Sequence, residues 1–125
     1  MKKYQFRLKE LLKLRRLQEL AASAFFSQAL GKKRSLEIER ERLLFEKEAI
    51  MGTLDQKFDR GLYLSYMEGL EREVLVSDQS LKHLKERVML SRIQLKEKIE
   101  RRKMVEKIRE KEYKQYRFKV NRDDS

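Results

Sequence analysis

The residue types that most often carry out chemistry are scarce in this chain of 125 residues. His83 is the single histidine, cysteine is absent, and neither a Gly-rich phosphate loop nor a His-Glu metal motif occurs. A catalytic triad or a metal site therefore cannot be built from the usual parts, and we expect His83 to lie on the surface. Carboxylates are numerous, but long helices offer no cleft that would tune their pKa values for acid or base catalysis. We expect a protein that is not an enzyme and that uses no cofactor and no metal.

Charge is the chemistry that the chain does offer. Lys and Arg number 32 against 21 Asp and Glu, which gives a net charge of +11. Residues 1–18 carry seven basic side chains against one acidic, residues 92–122 carry thirteen against five, and residues 37–78 carry six against eleven. Such segregation steers an acidic partner toward the two ends of the chain. The alternative is that these are ordinary solvated faces of charged helices.

The elements that must position these charges are predicted to be two long helices. The chain has no proline and 42% charged residues, a composition typical of coiled coils. Apolar residues recur at helical spacing over 4–58 and again over 66–118, so we predict a helix over each range. No apolar run is long enough to span a membrane, and the start of the chain lacks the pattern of a signal peptide.

A short turn is predicted between the two helices, over residues 59–65. Gly61 can adopt the left-handed conformation that ends a helix. Ser65 and Glu68 have the spacing of a capping box, which would begin the second helix at Tyr66.

The apolar positions of the two helices pair off at constant register. In four pairs the residue numbers add up to 124, which is the relation that an antiparallel hairpin requires: Ile50 with Val74, Leu43 with Leu81, Leu36 with Val88, and Ala29 with Leu95. The seam of the second helix follows alternating spacings of three and four. Its ten positions are Met67, Leu70, Val74, Ser77, Leu81, Leu84, Val88, Ser91, Leu95 and Lys98. We predict an all-α fold in which two long helices form an antiparallel coiled-coil hairpin, as one elongated domain over 1–125.

Near the termini this register places Arg15 opposite Arg109, which is an unfavourable seam. We therefore predict a stutter near residues 22–26 that changes the sum to 122. The shifted pairs are Leu17 with Val105, Leu14 with Ile108, and Phe6 with Tyr116.

Two apolar residues of the first helix are not needed by the hairpin. Ile38 and Phe45 stand two positions beyond the seam residues Leu36 and Leu43, so they point to the opposite side of the helix. They lie seven residues apart and form an outward apolar stripe. We expect a partner contact there, since exposed apolar stripes mark such contacts.

Two segments of the chain resemble a known family. Residues 4–15, with the sequence YQFRLKELLKLR, followed by Gln18-Glu19 and Ala21-Ala22, resemble the start of FliJ proteins. Residues 102–111, with the sequence RKMVEKIREK, are similar to the C-terminal helix of that family. FliJ proteins are small coiled-coil components of the flagellar type III protein export apparatus.

The resemblance implies a noncatalytic stalk or chaperone-like function. FliJ-like proteins form an antiparallel two-helix structure similar to the central stalk of rotary ATPases. The end that carries both termini enters the ring of the export ATPase hexamer and promotes its assembly or activity. The other part contacts the cytoplasmic domain of the export gate and export chaperones. Such a protein is cytoplasmic and peripheral at the membrane-embedded export apparatus.

The resemblance also implies two sets of site residues. The ATPase-facing set comprises Arg7, Leu11, Leu12, Arg15, Arg16, Arg102, Lys103 and Arg109. The export-gate contact is implied at Tyr66 and Leu70, which match an aromatic residue followed four positions later by leucine in the family's second helix. Ile38 and Phe45 gain no assignment from the resemblance.

Two alternatives come from other classes of protein. A net charge of +11 makes electrostatic binding of DNA or RNA expected at low salt. Acidic residues interleaved on the same helices, and the lack of a recognised binding fold, argue against specific nucleic-acid recognition. The second alternative is a general scaffold or self-associating coiled coil, which would form oligomers as its concentration rises.

Overall fold

The computed structural model describes residues 4–52 and 60–123. It contains two long helices, α1 (Lys9–Gly52) and α2 (Arg60–Asp123), which pack against each other as an antiparallel hairpin. The predicted all-α fold is confirmed.

Helix α1 begins later than predicted, at Lys9 rather than Tyr4. The residues before it form a turn in which the amide of Lys9 donates a hydrogen bond to the carbonyl of Phe6 at 3.1 Å. Phe6 is buried against the helices, and this side-chain burial holds the segment in a non-helical path. The predicted end of the first helix, at residue 58, lies outside the described residues.

The predicted turn is wrong over residues 60–65, because α2 begins at Arg60 and continues to Asp123 instead of residue 118. Gly61 is helical, and none of the described glycines has a positive φ. Ser65 lies inside the helix and caps nothing. The half-buried side chain of Tyr63 packs on the apolar core and stabilises the additional turns, which outweighs the local capping signal. The first turn residue, Asp59, lies outside the described residues.

Internal contacts divide the chain into two units. We call Met1–Phe26 with Ser91–Ser125 the terminal unit, and Ser27–Leu90 the middle unit. Each unit contains a piece of both helices and its own small apolar cluster. The predicted single domain over 1–125 stays a prediction.

The cluster of the middle unit consists of Leu43, Met67 and Leu70, with Ile50 and Val74 packed at its edge. Two ion pairs between the helices define the register of this unit. Arg40 Nε lies 2.5 Å from Asp78 Oδ1, and Lys47 Nζ lies 3.6 Å from Glu71 Oε1. In both pairs the residue numbers add up to 118, so the predicted sum of 124 is wrong by nearly one heptad. A heptad repeat presents the same face after seven residues, and registers one heptad apart are therefore hard to separate from sequence.

The predicted seam positions of α2 are correct even though their partners are not. All ten are buried or half-buried, and Ser77 and Ser91 are among the buried ones. Serine at these two positions adds little apolar area to the seam.

The cluster of the terminal unit consists of Phe6, Leu12 and Val105, with Tyr4, Leu8 and Leu11 packed against it. The ion pairs between the helices of this unit have residue numbers that add up to 121 and 122, which agrees with the predicted sum of 122. The apolar pairs predicted for Leu14 and Leu17 are wrong, because the structure exposes both leucines. Leu17 is 63% exposed and Leu14 is 48% exposed, whereas Leu12 is 3% exposed. Charged side chains occupy the seam instead, and they find partners of opposite sign across it.

Candidate protein-interaction surfaces

The two units differ completely in net charge. The sequence of the terminal unit contains 20 Lys and Arg against 9 Asp and Glu, whereas that of the middle unit contains 12 of each. The whole net charge of +11 therefore belongs to the terminal unit. The segregation predicted from the sequence thus coincides with a structural division of the chain.

An ion-pair network joins the helices of the terminal unit. Arg102 Nε donates to Glu19 Oε2 at 2.7 Å, and Arg102 Nη1 donates to Glu106 Oε2 at 2.8 Å. Arg16 Nη2 lies 3.5 Å from the other oxygen of Glu106. The hydrogen bonds from Glu19 and Glu106 raise the pKa of Arg102 above its usual value. The guanidinium of Arg102 is thus already paired with carboxylates of the hairpin itself.

The segment before α1 is held to α2 by aromatic contacts. The Tyr4 ring lies 5.3 Å from the Tyr113 ring in an edge-to-face arrangement and 5.4 Å from the Tyr116 ring. The Tyr4 hydroxyl donates to the carbonyl of Arg109 at 3.3 Å. Partial burial, followed by the charge of Glu112, raises the pKa of Tyr4 above 10.0. These contacts fix the first described residues beside the last turns of α2.

The predicted ATPase-facing residues fall into two groups. Four cations present exposed side chains: Arg7, Arg16, Lys103 and Arg109. Arg7 Nε is 2.8 Å from Glu112 Oε1, whereas Lys103 and Arg109 form no ion pair with another described residue. The other four are held inside the unit. Leu12 is buried, Leu11, Arg15 and Arg102 are half-buried, and Arg15 Nη1 donates to Gln18 Oε1 at 3.1 Å.

A groove of about 1040 Å³ opens on the terminal unit between α1 and α2. The segment Tyr4–Phe6 borders it, and its α1 wall carries Lys9, Lys13 and Arg16. The spacing of these three cations, four residues and then three, places them on one face of a helix. Of these three cations, only Arg16 was among the residues predicted from the sequence to contact a partner. The spacing of the three would have been enough to predict a cationic helix face.

The predicted export-gate pair is not one surface. Tyr66 is 48% exposed and its hydroxyl donates to the Glu46 carboxylate. This hydrogen bond, together with partial burial, raises the pKa of Tyr66 above 10.0. Leu70 is buried in the cluster with Leu43 and Met67. While the helices stay packed, a partner can reach Tyr66 but not the Leu70 side chain.

Ile38 and Phe45 point outward as predicted, with 68% and 75% of their surface exposed. A contact of this stripe with a partner stays a prediction. Sequence reasoning missed several other exposed apolar residues of the middle unit, among them Leu75, Val76, Met89 and Leu90. The alternating spacing already indicated this exposure, because Leu75 and Val76 lie between the seam positions 74 and 77, and Met89 and Leu90 lie between 88 and 91.

No group of three or more His, Cys, Asp or Glu side chains within 4–52 and 60–123 is placed to hold a metal ion. His83 is exposed, as expected. In the same ranges neither helix has an apolar stretch long enough to cross a membrane.

The fold is that of a coiled-coil-like helical hairpin. No protein-family model, curated protein or solved structure matches the chain. The resemblance to FliJ proteins therefore rests on the two segments quoted above.

Proposed function

We propose that this chain is a noncatalytic, FliJ-like component of a flagellar type III protein export apparatus. In this role it binds the export ATPase hexamer, promotes the assembly or activity of the ring, and links it to the cytoplasmic domain of the export gate and to export chaperones. It would act in the cytoplasm, at the periphery of the membrane-embedded apparatus. The observation that supports the proposal best is a helical hairpin whose net charge of +11 belongs entirely to the unit with both termini.

The mechanism follows from symmetry. A hairpin of two helices has no sixfold symmetry, so its contacts with six identical subunits cannot all be equivalent. The protein would favour different conformations in different subunits of the ring. Such a component changes the rate of ATP hydrolysis without supplying a catalytic group.

The exposed cations are the groups that can contact the ATPase directly. Lys103 and Arg109 are exposed and form no ion pair with another described residue, so a partner need not displace an internal contact. Leu12 and Arg102 support the surface by holding the two helices together. We assign the direct contact to exposed cations and a structural role to Leu12 and Arg102.

The proposal is tested by measuring ATP hydrolysis by the flagellar export ATPase while this protein is titrated at about 0.15 M salt, where exposed charges are screened beyond about 8 Å. We expect saturable stimulation near one chain per hexamer. The variant K103E/R109E should lose most of the stimulation and keep the helix content of the wild type. K82E/K85E is the matched control, because it makes the same charge change at exposed residues of the middle unit.

Each outcome has a distinct meaning. Absence of stimulation by a folded wild-type protein would contradict the proposed function. If K103E/R109E stimulates the ATPase as strongly as the wild type, the proposed function stands but the contact lies at other residues. Equal loss in both double variants would indicate a general charge effect instead of a defined surface.

Nucleic-acid binding is the second candidate, and the charge of the terminal unit is the observation that favours it. Binding to a single-stranded oligonucleotide should weaken steeply as salt rises, because each neutralised phosphate releases counterions. Affinity that persists at physiological salt would favour this candidate. Affinity that disappears there would favour the export function.

A further inference from the structure

The groove of the terminal unit extends along about two turns of each helix. On α1 it is lined by residues 9–16 and on α2 by residues 106–113, which is two turns of each helix. Two parallel walls of this length, about 10 Å at 1.5 Å per residue, match two turns of a third helix laid along the hairpin.

The α1 wall is cationic, and two of its three cations have a weak ion pair or none. Lys9 forms no ion pair with another described residue, and Lys13 Nζ is 3.7 Å from the exposed Glu10. An exposed pair of this length contributes little stability, so an incoming carboxylate can bind these two lysines at small cost. Arg16 lies 3.5 Å from the half-buried Glu106 and can contact a second carboxylate through its exposed side chain.

The floor of the groove is apolar. Phe6 and Leu12 line it and belong to the buried cluster of the unit, and the rings of Tyr4 and Tyr113 stand at one end. Phe6 and Leu12 are themselves only 8% and 3% exposed, so the apolar surface that an incoming side chain can still remove from water belongs mainly to Tyr113, which is 43% exposed. The site therefore combines a row of cations with an adjoining apolar strip.

We propose that this groove binds an acidic amphipathic α-helix of a partner protein. Carboxylates at positions i, i+4 and i+7 of such a helix would lie opposite Lys9, Lys13 and Arg16, and a leucine on the adjacent stripe would pack on the exposed ring of Tyr113. The inference rests on the proposed function, because Leu12, Arg16 and Arg109 belong to the ATPase-facing set. It adds the chemical character of the segment that is bound.

A nucleic acid fits the same groove less well. The α2 wall carries Glu106 and Glu110 beside a single cation, Arg109, so its net charge is negative and would repel a phosphate backbone. The apolar floor offers no donor to a phosphate or to a base edge. A helix can turn uncharged or basic residues toward these carboxylates while its acidic stripe faces α1.

The test uses synthetic peptides and the full chain, without any ATPase. The probe is a fluorescent helical peptide of about 18 residues, or five turns, with glutamates on one stripe and leucines on the next. An isomer of identical composition with the stripes scrambled controls for charge, and a single-stranded oligothymidine controls for nucleic acid. Binding is followed by fluorescence anisotropy at about 0.15 M salt.

We expect the amphipathic peptide to bind at least about tenfold more tightly than its scrambled isomer. K9E/K13E should weaken that binding by about tenfold or more, while K82E/K85E should change it by less than about twofold. Amide signals of residues 9–16 and 106–113 should shift in NMR spectra on addition of the peptide.

Equal binding of the two peptides, or full binding by K9E/K13E, would overturn the inference. So would an oligothymidine that binds more tightly and depends on the same two lysines, because the groove would then belong to nucleic acid. The ATPase is absent from this experiment. A failure here is therefore distinguishable from a failure of ATPase stimulation, which tests the proposed function separately.

Discussion

Arg102 on α2 donates to Glu19 on α1 with 2.7 Å between Nε and Oε2, and this charged contact joins the two helices of the terminal unit. The same guanidinium donates to Glu106, which also pairs with Arg16. The alternative apolar layer of Leu14 and Leu17 is left in solvent. Cohesion of this unit therefore depends on charged contacts between the helices as well as on its apolar cluster.

Acidification should loosen the terminal unit. Burial acts to raise the pKa of Glu106, but the hydrogen bonds from Arg102 and Arg16 outweigh it and lower this pKa below 4.5. Because the folded pKa is the lower one, the stabilisation is present above pH 4.5 and is lost as the pH falls through the lowered value. We expect the thermal midpoint of E106Q to fall less than that of the wild type between about pH 5 and pH 3.

The matched control for this prediction is E110Q, whose carboxylate is exposed and lies 3.4 Å from Lys114 Nζ within the same helix. It should follow the wild-type pH dependence. If E106Q and the wild type lost the same number of degrees on acidification, Glu106 would not be the responsible group.

Leu12 and Leu14 distinguish the observed apolar seam from the apolar pairs predicted for the shifted register. L12A removes a buried side chain of the apolar cluster and should lower the free energy of unfolding by about 2–4 kcal/mol. L14A truncates a side chain that is 48% exposed and should change it by no more than about 0.5 kcal/mol. Urea denaturation followed by circular dichroism measures both. A larger loss in L14A would favour the shifted seam.

The register of the middle unit can be measured by cross-linking, because the chain has no cysteine of its own. Lys47 contacts Glu71 across the hairpin, whereas the sequence-predicted register pairs Lys47 with Ser77. We expect K47C/E71C to be cross-linked rapidly by a short bismaleimide and K47C/S77C to react slowly. The reverse order, read from peptide masses after digestion, would restore the predicted register.

The outward stripe of the middle unit should be dispensable for folding. Ile38 and Phe45 are 68% and 75% exposed, so I38S/F45S should alter the free energy of unfolding by less than about 1 kcal/mol in total. Serine and these residues have similar helix propensities, which limits the backbone effect. L43A, in the buried cluster, is the contrasting variant and should lose about 2–4 kcal/mol. Equal losses would show that the stripe is buried.

Tyr66 and Leu70 should differ in how they affect binding of the export gate. Y66A removes an exposed ring and its hydrogen bond to Glu46, and we expect weaker binding with unchanged helix content. L70A removes a core side chain, so we expect a lower thermal midpoint before any direct effect on affinity. Calorimetric titration with the cytoplasmic domain of the gate, beside thermal melts, separates the two. Unaltered affinity in Y66A would remove the contact.

The sequence was sufficient to predict the fold class and the seam of α2. Alternating spacings of three and four identify a helix face regardless of its partner, and Met67, Ser77 and Leu81 are all buried as expected. The register was not predictable, because registers one heptad apart turn the same faces inward, with Arg40 opposite Leu84 in one and opposite Ser77, next to its ion-pair partner Asp78, in the other. The turn was misplaced because the packing of Tyr63 extends α2 beyond a good capping signal.

The candidate surfaces were predictable only in part. The basic character of the termini follows from composition, and the outward positions of Ile38 and Phe45 follow from helix periodicity. Tertiary contacts determine which cations are already paired inside the protein. Arg102 donates to Glu19, whereas Lys103 next to it is exposed. The groove depends on a non-helical segment around Phe6, for which periodicity gives no signal.

The aromatic anchor of the first described residues gives the protein an optical reporter of its own. The chain has five tyrosines and no tryptophan, and three of the tyrosines, Tyr4, Tyr113 and Tyr116, lie in one cluster. Near-ultraviolet circular dichroism arises when aromatic rings are held in an asymmetric environment. Its tyrosine band should therefore monitor docking of the chain's beginning onto α2 without a label. Far-ultraviolet ellipticity reports helix content separately, so one instrument can distinguish undocking of this segment from unfolding of the hairpin.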